Sequence, residues 1–120
     1  MRTAVVNTDE APRQEFDWGS TAWCISKAAG NSERLTFGRV VIKAGRSNPK
    51  HGHHTCDEVL YLLSGELVHY ADDMEPVRMT PRDVISIPAG IFHYATCVSA
   101  HDAEMIVVYS RPERDIEVAG

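Results

Sequence analysis

Short apolar runs that alternate with turn residues constrain the fold of this chain more than any other feature. The runs are rich in Val, Ile, Leu and Tyr and have the length of strands, and a helix of three turns is hard to place anywhere. The pattern therefore predicts an all-β protein, a sandwich or barrel of about eight or more short strands. The predicted strands are residues 22–26, 35–42, 58–63, 66–70, 77–79, 83–87, 91–96 and 104–109.

Glycine and proline mark the turns between these runs. Ser64-Gly65 stands between two of them and predicts a tight hairpin in which the flanking strands pair. Pro81 and Pro88 bracket one predicted strand, where proline removes no hydrogen bond from the strand interior.

The length of 120 residues suits one domain with one core, so we predict a single domain over residues 1–120. The chain has 12 Lys and Arg residues against 17 Asp and Glu residues, a formal net charge of -5. Nucleic-acid binding needs a basic surface, so this balance argues against a nucleic-acid partner.

The apolar runs and the cysteines of the chain indicate its compartment. The N-terminus has no apolar run long enough for a signal peptide, and no stretch approaches the length of a membrane span. Cys24, Cys56 and Cys97 are widely spaced and form no C-x-x-C pair. An odd number of cysteines fits a reducing compartment better than a disulfide framework, so we expect a cytoplasmic protein. Since no stretch is long enough to span a membrane, we expect no membrane contact.

Three histidines and one glutamate are the most informative residues for chemistry. His51 and His53 are two apart, so on a strand both side chains point to the same face. Glu58 follows at an odd offset, so the intervening residues must turn the chain before Glu58 opens the next strand. A second turn delivers His93 onto a further strand. Three imidazoles and one carboxylate can hold one divalent metal and leave positions open for a substrate.

The spacing of these residues resembles the two conserved motifs of the cupin superfamily. The two segments read Gly45-x5-His51-x-His53-x4-Glu58-x6-Gly65 and Pro88-x-Gly90-x2-His93. The resemblance covers residues 45–97 and has two departures. Arg82 stands where the family usually has glycine, and Cys97 stands where it often has asparagine.

The resemblance implies a double-stranded β-helix of jelly-roll type, with a core over residues 34–110 and an N-terminal arm over residues 1–30. It implies that the three histidines and Glu58 ligate one metal ion inside the barrel. Mn, Fe, Ni, Co and Zn suit this donor set better than Mg or Ca. Small cupins often pair, so we also expect a homodimer, in which the arm could supply an exchanged strand.

Strand alternation suggests which other side chains face the metal. Leu60 should point inward with Glu58, and Cys97 should point inward with His93, as a small wall residue or as a reactive thiol. Further candidates for the pocket or the core are Tyr61, His69, Tyr70, Phe92, Tyr94 and His101.

Five polar residues have more than one interpretation. Arg39 could bind a substrate carboxylate if it faced inward, or could be an outward edge charge, which is slightly favoured. Tyr70 and His101 are candidate proton-transfer partners. His54 should point away from His53, and Asp57 is either a turn residue or a partner that orients a ligating imidazole.

The expected function is a metal-dependent enzyme that acts on a small, oxygen-rich, metal-chelating metabolite. Dioxygenase chemistry and isomerase or lyase chemistry are both open. The alternative is a non-catalytic module that binds a sugar or an effector, or an accessory protein of a pathway. Such modules usually carry a DNA-binding domain, for which this chain has no room, and intact metal ligands favour chemistry.

Overall fold

The computed structural model describes residues 1–120 and consists of eleven strands joined by turns and loops. The all-β prediction is confirmed. None of the chain's elements is a helix with the length and hydropathy of a membrane span. Strands β1 to β11 are, in chain order, Arg13–Phe16, Gly19–Ile25, Thr36–Ile42, His51–Gly52, Glu58–Ser64, Leu67–Ala71, Val77–Met79, Val84–Ile87, His93–Cys97, Ala103–Tyr109 and Glu117–Val118.

Two antiparallel sheets form the jelly-roll barrel that the resemblance implies. One sheet has six strands in the order β1-β2-β3-β10-β5-β8, and the other has five in the order β11-β4-β9-β6-β7. From β3 onward, every connection except that between β6 and β7 crosses from one sheet to the other. The crossings hold the sheets face to face around one interior.

Alternate residues of the long strands form the core between the sheets. Every second residue of β3 and β10 is buried, and Ile42 and Met105 are almost completely so. Leu62 and Leu67 contribute from opposite sheets. Burying one such side chain contributes about 1.5–3 kcal/mol, and a one-residue slip would turn these side chains to the surface. The alternation therefore determines which side chains face the interior.

The prediction of a hairpin at Ser64-Gly65 is wrong. β5 pairs with β10 and β8, whereas β6 pairs with β7 and β9, so this turn carries the chain between sheets. Gly65 has a φ of 82°, and a Cβ atom on it would lie 2.6 Å from the Cα of Ala103. The left-handed backbone and the close approach both require glycine. The turn signal was correct, but a turn signal does not choose the partner strand.

The N-terminal segment adds two strands to the barrel. β1 pairs with β2, and β2 pairs with β3 of the same chain. The six-stranded sheet therefore begins at Arg13, outside the expected core of residues 34–110. The strand predicted at residues 22–26 overlaps β2 at residues 22–25.

Candidate metal centre

The three histidines and Glu58 come together at one point inside the barrel. His51 lies on β4, His53 follows that strand, and Glu58 and His93 open β5 and β9. One donor atom from each residue lies within 4.8 Å of the others, and all four residues are buried. The cluster could hold one metal ion.

Strand pairing and one side-chain contact join the two motifs. His51 and His93 are direct partners in the antiparallel pair of β4 and β9. The N–H of Ala89 donates to Asp57 Oδ1 at 2.9 Å, which ties the turn before Glu58 to the turn before His93. Asp57 is therefore a turn residue and makes no contact with a ligating imidazole.

Two of the imidazoles are held by backbone carbonyls. The Nδ1–H of His51 donates to the carbonyl of Pro49 at 2.7 Å, and the Nδ1–H of His53 donates to the carbonyl of Asp115 at 2.5 Å. A carbonyl oxygen can only accept, so both rings carry their proton on Nδ1. Each ring then presents the lone pair of Nε2, the form that a metal ligand needs.

The third imidazole is held by a fourth histidine. Nδ1 of His93 lies 3.0 Å from Nε2 of His69 on the neighbouring strand β6, and His69 is 1% exposed. Burial lowers the pKa of His69 to about 4, because it disfavours the charged ring. His69 is therefore neutral near pH 7, and its Nε2 can accept the proton of His93 Nδ1.

Three of the donor atoms are buried without a hydrogen-bond partner, namely His53 Nε2, His93 Nε2 and Glu58 Oε1. The two nitrogen atoms lie 3.3 Å and 3.2 Å from Glu58 Oε1. Leaving a buried polar atom unpaired costs about 1–3 kcal/mol. One divalent cation at their shared focus would satisfy all three atoms, so the donor set fits a metal.

The protonation states also suit metal binding. Burial lowers the pKa of His51 to about 4. Burial opposes the ionisation of Glu58, but positive charge on the imidazoles of His53 and His93, whose place a bound cation would take, holds the pKa of Glu58 below its ordinary value. Neutral imidazoles and an ionised carboxylate are the forms that bind metal. His51 and Glu58 therefore need to lose no proton near pH 7.

A cavity of about 230 Å³ reaches the cluster, since His51, Glu58 and His93 are among its lining residues. Apolar and aromatic side chains form most of its wall. The other lining residues are Gln14, Phe16, Trp18, Thr21, Trp23, Val40, Ile42, Asn48, Pro49, Leu60, His69, Ala95, Met105, Val107, Tyr109, Arg114, Ile116 and Val118.

Strand alternation was a partial guide to this wall. Leu60 lines the cavity, as alternation from Glu58 predicts. Cys97 points inward and is fully buried, but it belongs to the core and does not line the cavity. Its Sγ lies 3.3 Å from the carbonyl oxygen of His101. Ala95, one step nearer the metal cluster on β9, takes the place in the wall.

Arg39 lies on the outer face of the six-stranded sheet. It forms ion pairs with Glu104 and, at 3.8 Å, with Asp9. Its neighbour Val40 lines the cavity, and alternation along β3 turns Arg39 to the opposite face. The outward interpretation is the one that the structure shows.

Tyr70 and His101 also lie away from the cavity. The ring of Tyr70 stacks on Tyr94 at 4.6 Å, while the preceding residue His69 lines the cavity. His101 is exposed in the loop between β9 and β10. Neither proton-transfer candidate reaches the metal cluster, and His54 is likewise exposed, with its Nε2 2.7 Å from Glu117.

The chain ends supply wall residues that the sequence reasoning missed. Trp18 lies in the turn between β1 and β2, Trp23 lies on β2, and Arg114 comes from the segment after β10. No motif marks these positions. Tyr109 had a usable signal, because alternation along β10 places it on the same face as Met105, which is buried.

Solved structures share this fold at low sequence identity. The polyketide cyclase RemF from Streptomyces resistomycificus has a TM-score of 0.82 at 17% identity, covering 99% of this chain and 87% of RemF. A predicted oxalate decarboxylase from Thermotoga maritima has a TM-score of 0.78 at 23% identity, covering 90% of this chain and 99% of that one. KdgF from Halomonas sp. has a TM-score of 0.78 at 20% identity, covering 93% of this chain and 97% of KdgF.

The sequence itself matches one protein family. No curated protein matches the chain. The cupin domain family matches residues 38–109, which is more than half of the chain and contains all four residues of the metal cluster. The chain therefore belongs to the cupin family.

Proposed function

We propose that the protein is a mononuclear metal-dependent enzyme that acts on a small metabolite able to chelate the metal through oxygen. The observation that supports this most is the convergence of four buried donor atoms on a cavity large enough for a small molecule. Four side chains would not fill the coordination sphere of such a metal, so a bound ion would have positions left for a substrate. The ion is one of Mn, Fe, Ni, Co or Zn.

The bound metal supplies Lewis-acid polarisation of a chelating oxygen atom. The apolar wall excludes water from the substrate. Burial raises the pKa of Tyr109 well above its ordinary value, so its phenol keeps its proton and can donate a hydrogen bond to the substrate. His69 holds the ring of His93 in place and lines the cavity. Tyr109 and His69 thus replace Tyr70 and His101 as the side chains that we assign to substrate and proton handling.

The reaction class is either dioxygen-dependent cleavage or an isomerase or lyase reaction on an enolisable substrate. Similar structures include a polyketide cyclase and a predicted oxalate decarboxylase, which supports chemistry on small oxygen-rich molecules without choosing between these classes.

Metal analysis tests the site. We expect protein purified without added metal to contain near-stoichiometric transition metal, and His93→Ala to lose it, because His93 supplies one of the four donor atoms. His101→Ala is the matched control, since His101 is exposed and lies away from the cavity. Circular dichroism would establish that both variants are folded. Equal metal content in His93→Ala and the wild type would contradict the assignment.

Oxygen uptake then separates the reaction classes. A metal-loaded sample is assayed in an oxygen electrode with enols, thiols and diketones, and for turnover with sugars and keto acids. Uptake supports a dioxygenase, and turnover without uptake supports an isomerase or lyase. No turnover with any of these compounds would contradict the enzymatic proposal and leave a small-molecule binding module.

We further propose that the protein is a cytoplasmic homodimer that binds neither nucleic acid nor membrane. The three cysteines are free, which supports a reducing compartment. Light scattering should give about twice the chain mass of 13.3 kDa. A mass of one chain would contradict the dimer.

A further inference from the structure

Flat aromatic rings form part of the cavity wall. Phe16 and Trp18 stack with ring centroids 5.0 Å apart and an angle of 5° between their planes. The ring centroids of Trp23 and Tyr109 lie 6.0 Å apart, and those of Tyr109 and His53 lie 4.8 Å apart. Such a wall favours a planar, unsaturated ligand, because aromatic rings gain most from offset or edge-to-face contact with other rings.

Arg114 is a cation in the same wall without a charge partner. Its guanidinium lies over the ring of Trp23, 4.0 Å from the centroid, and 5.8 Å from the centroid of Tyr109. It lines the cavity and forms no ion pair or side-chain hydrogen bond, whereas Arg39 and Arg78 each pair with a carboxylate. Stacking on Trp23 holds the plane of the guanidinium and leaves its N–H groups available to an anion.

A second polar group in the wall also lacks a partner. The hydroxyl of Thr21 is buried and makes no hydrogen bond, and Thr21 lines the cavity. Buried hydroxyls are normally paired, so the position indicates contact with a polar group of a ligand. The other uncharged polar side chains there, outside the metal cluster, are Gln14, Asn48, the neutral imidazole of His69 and the phenol of Tyr109. This is a small polar complement for a sugar, whose every hydroxyl needs a partner.

We propose that the substrate is a planar aromatic or conjugated acid, whose carboxylate is bound by Arg114 and whose chelating oxygens face the metal cluster. The inference rests on the proposed function and extends it to a substrate class. Arg114 acts as a substrate-binding residue through a charge-assisted hydrogen bond. The aromatic side chains set the preference for a flat ligand, and the single guanidinium sets the preference for one anionic group.

Intrinsic fluorescence can test this, because Trp18 and Trp23 are the two tryptophans of the chain and both line the cavity. The probes are 2-naphthoate, its neutral analogue 2-naphthamide, and glucuronate, each titrated into metal-loaded protein. We expect 2-naphthoate to quench the fluorescence and to bind more tightly than the other two. Arg114→Gln should lower the affinity for 2-naphthoate about tenfold, the size of one charge-assisted contact. It should change the affinity for 2-naphthamide less than about twofold.

Arg111→Gln is the matched control, since Arg111 is exposed in the same segment and does not line the cavity. It should leave every titration unchanged. An equal loss of affinity for both naphthalene probes in Arg114→Gln, or no loss of affinity for either, would overturn the anion site. Glucuronate binding as tight as that of 2-naphthoate would overturn the aromatic preference.

Metal content measured on the same samples separates this inference from the proposed function. Protein that takes up no metal during loading but binds 2-naphthoate through Arg114 would contradict the metal-dependent function and leave the anion site standing. Metal-replete protein in which Arg114 makes no difference would overturn the anion site alone.

Discussion

At the scale of single residues, Arg82 has a backbone conformation that side chains disfavour. Its φ is 83°, and it has no glycine-like freedom to adopt that angle. The turn is nevertheless well tied, because the N–H of Arg82 donates to the carbonyl of Leu62 at 2.8 Å and the N–H of Thr80 donates to Asp83 at 2.8 Å. The structure thus explains why glycine is usual at this position of the cupin pattern.

Replacing Arg82 by glycine should therefore stabilise the fold. We expect Arg82→Gly to raise the free energy of unfolding by about 1 kcal/mol, because the left-handed conformation costs a side-chain residue about 1–2 kcal/mol and glycine loses part of that gain as unfolded-state entropy. Urea denaturation measures the change. Arg82→Ala is the control and should gain little, since alanine is strained in the same way. A gain as large in Arg82→Ala would show that strain is not the cause.

At the scale of elements, the turn between β5 and β6 depends on Gly65. We expect Gly65→Ala to lower the free energy of unfolding by about 2–4 kcal/mol, because the new methyl group meets the backbone of Ala103 in addition to the backbone strain. Gly30→Ala is the matched control, with a φ of 77° and nothing within 4 Å of an added Cβ. It should cost only about 1 kcal/mol. Equal costs in urea denaturation would contradict the steric argument.

The segment after β10 is a second element with a defined role. The side chain of Asp115 accepts hydrogen bonds from the backbone N–H of His54 at 2.6 Å and of Thr55 at 3.0 Å. Its own carbonyl accepts the Nδ1–H of His53. The hydroxyl of Thr55 and these N–H groups hold the pKa of Asp115 below its ordinary value. The side chain thus fixes the carbonyl that orients a metal ligand.

Removing this anchor should weaken metal binding without removing a ligand. We expect Asp115→Ala to bind metal about 10–100-fold more weakly, the usual effect of losing a group that orients a ligand. Competition with a chelator measures the affinity. Glu113→Ala is the control, because Glu113 is exposed and pairs only with Lys27. An unchanged affinity in Asp115→Ala would show that the side chain of Asp115 is not needed to hold the carbonyl that orients His53.

At the scale of the whole molecule, the metal cluster joins the two sheets. His51 and His93 belong to the five-stranded sheet and Glu58 to the six-stranded sheet. A cation bound by all of them would connect both halves of the barrel. Its binding energy would then add to the stability of the whole fold, since an unfolded chain does not present the donors together.

Metal removal should therefore lower the melting temperature. At a free metal concentration of about 100 times Kd, binding adds about 2.7 kcal/mol, which corresponds to a rise in Tm of about 10 °C for a domain of this size. Calorimetry of the wild type with and without EDTA measures the shift. The His93→Ala variant should show no shift of this size. A Tm of the wild type that does not respond to EDTA would contradict a metal that bridges the sheets.

The sequence was sufficient for features that depend on local periodicity and spacing. It predicted an all-β chain and the turns before Glu58 and His93, and the spacing of the three histidines and Glu58 indicated one cluster. Alternation correctly placed Leu60 in the wall. Periodicity of two is a property of every strand, so it can be read without knowing which strands pair.

Only the tertiary structure decided which strands pair and which distant segments close the cavity. The turn at Gly65 joins two sheets, and Arg114 and Trp23 meet across the barrel although 91 positions separate them. The sequence only slightly favoured an outward Arg39 and left Tyr70 open, and the fold placed both away from the cavity. Contacts between residues far apart in the chain depend on sheet order and on how the sheets cross, and neither leaves a local pattern in the amino acids.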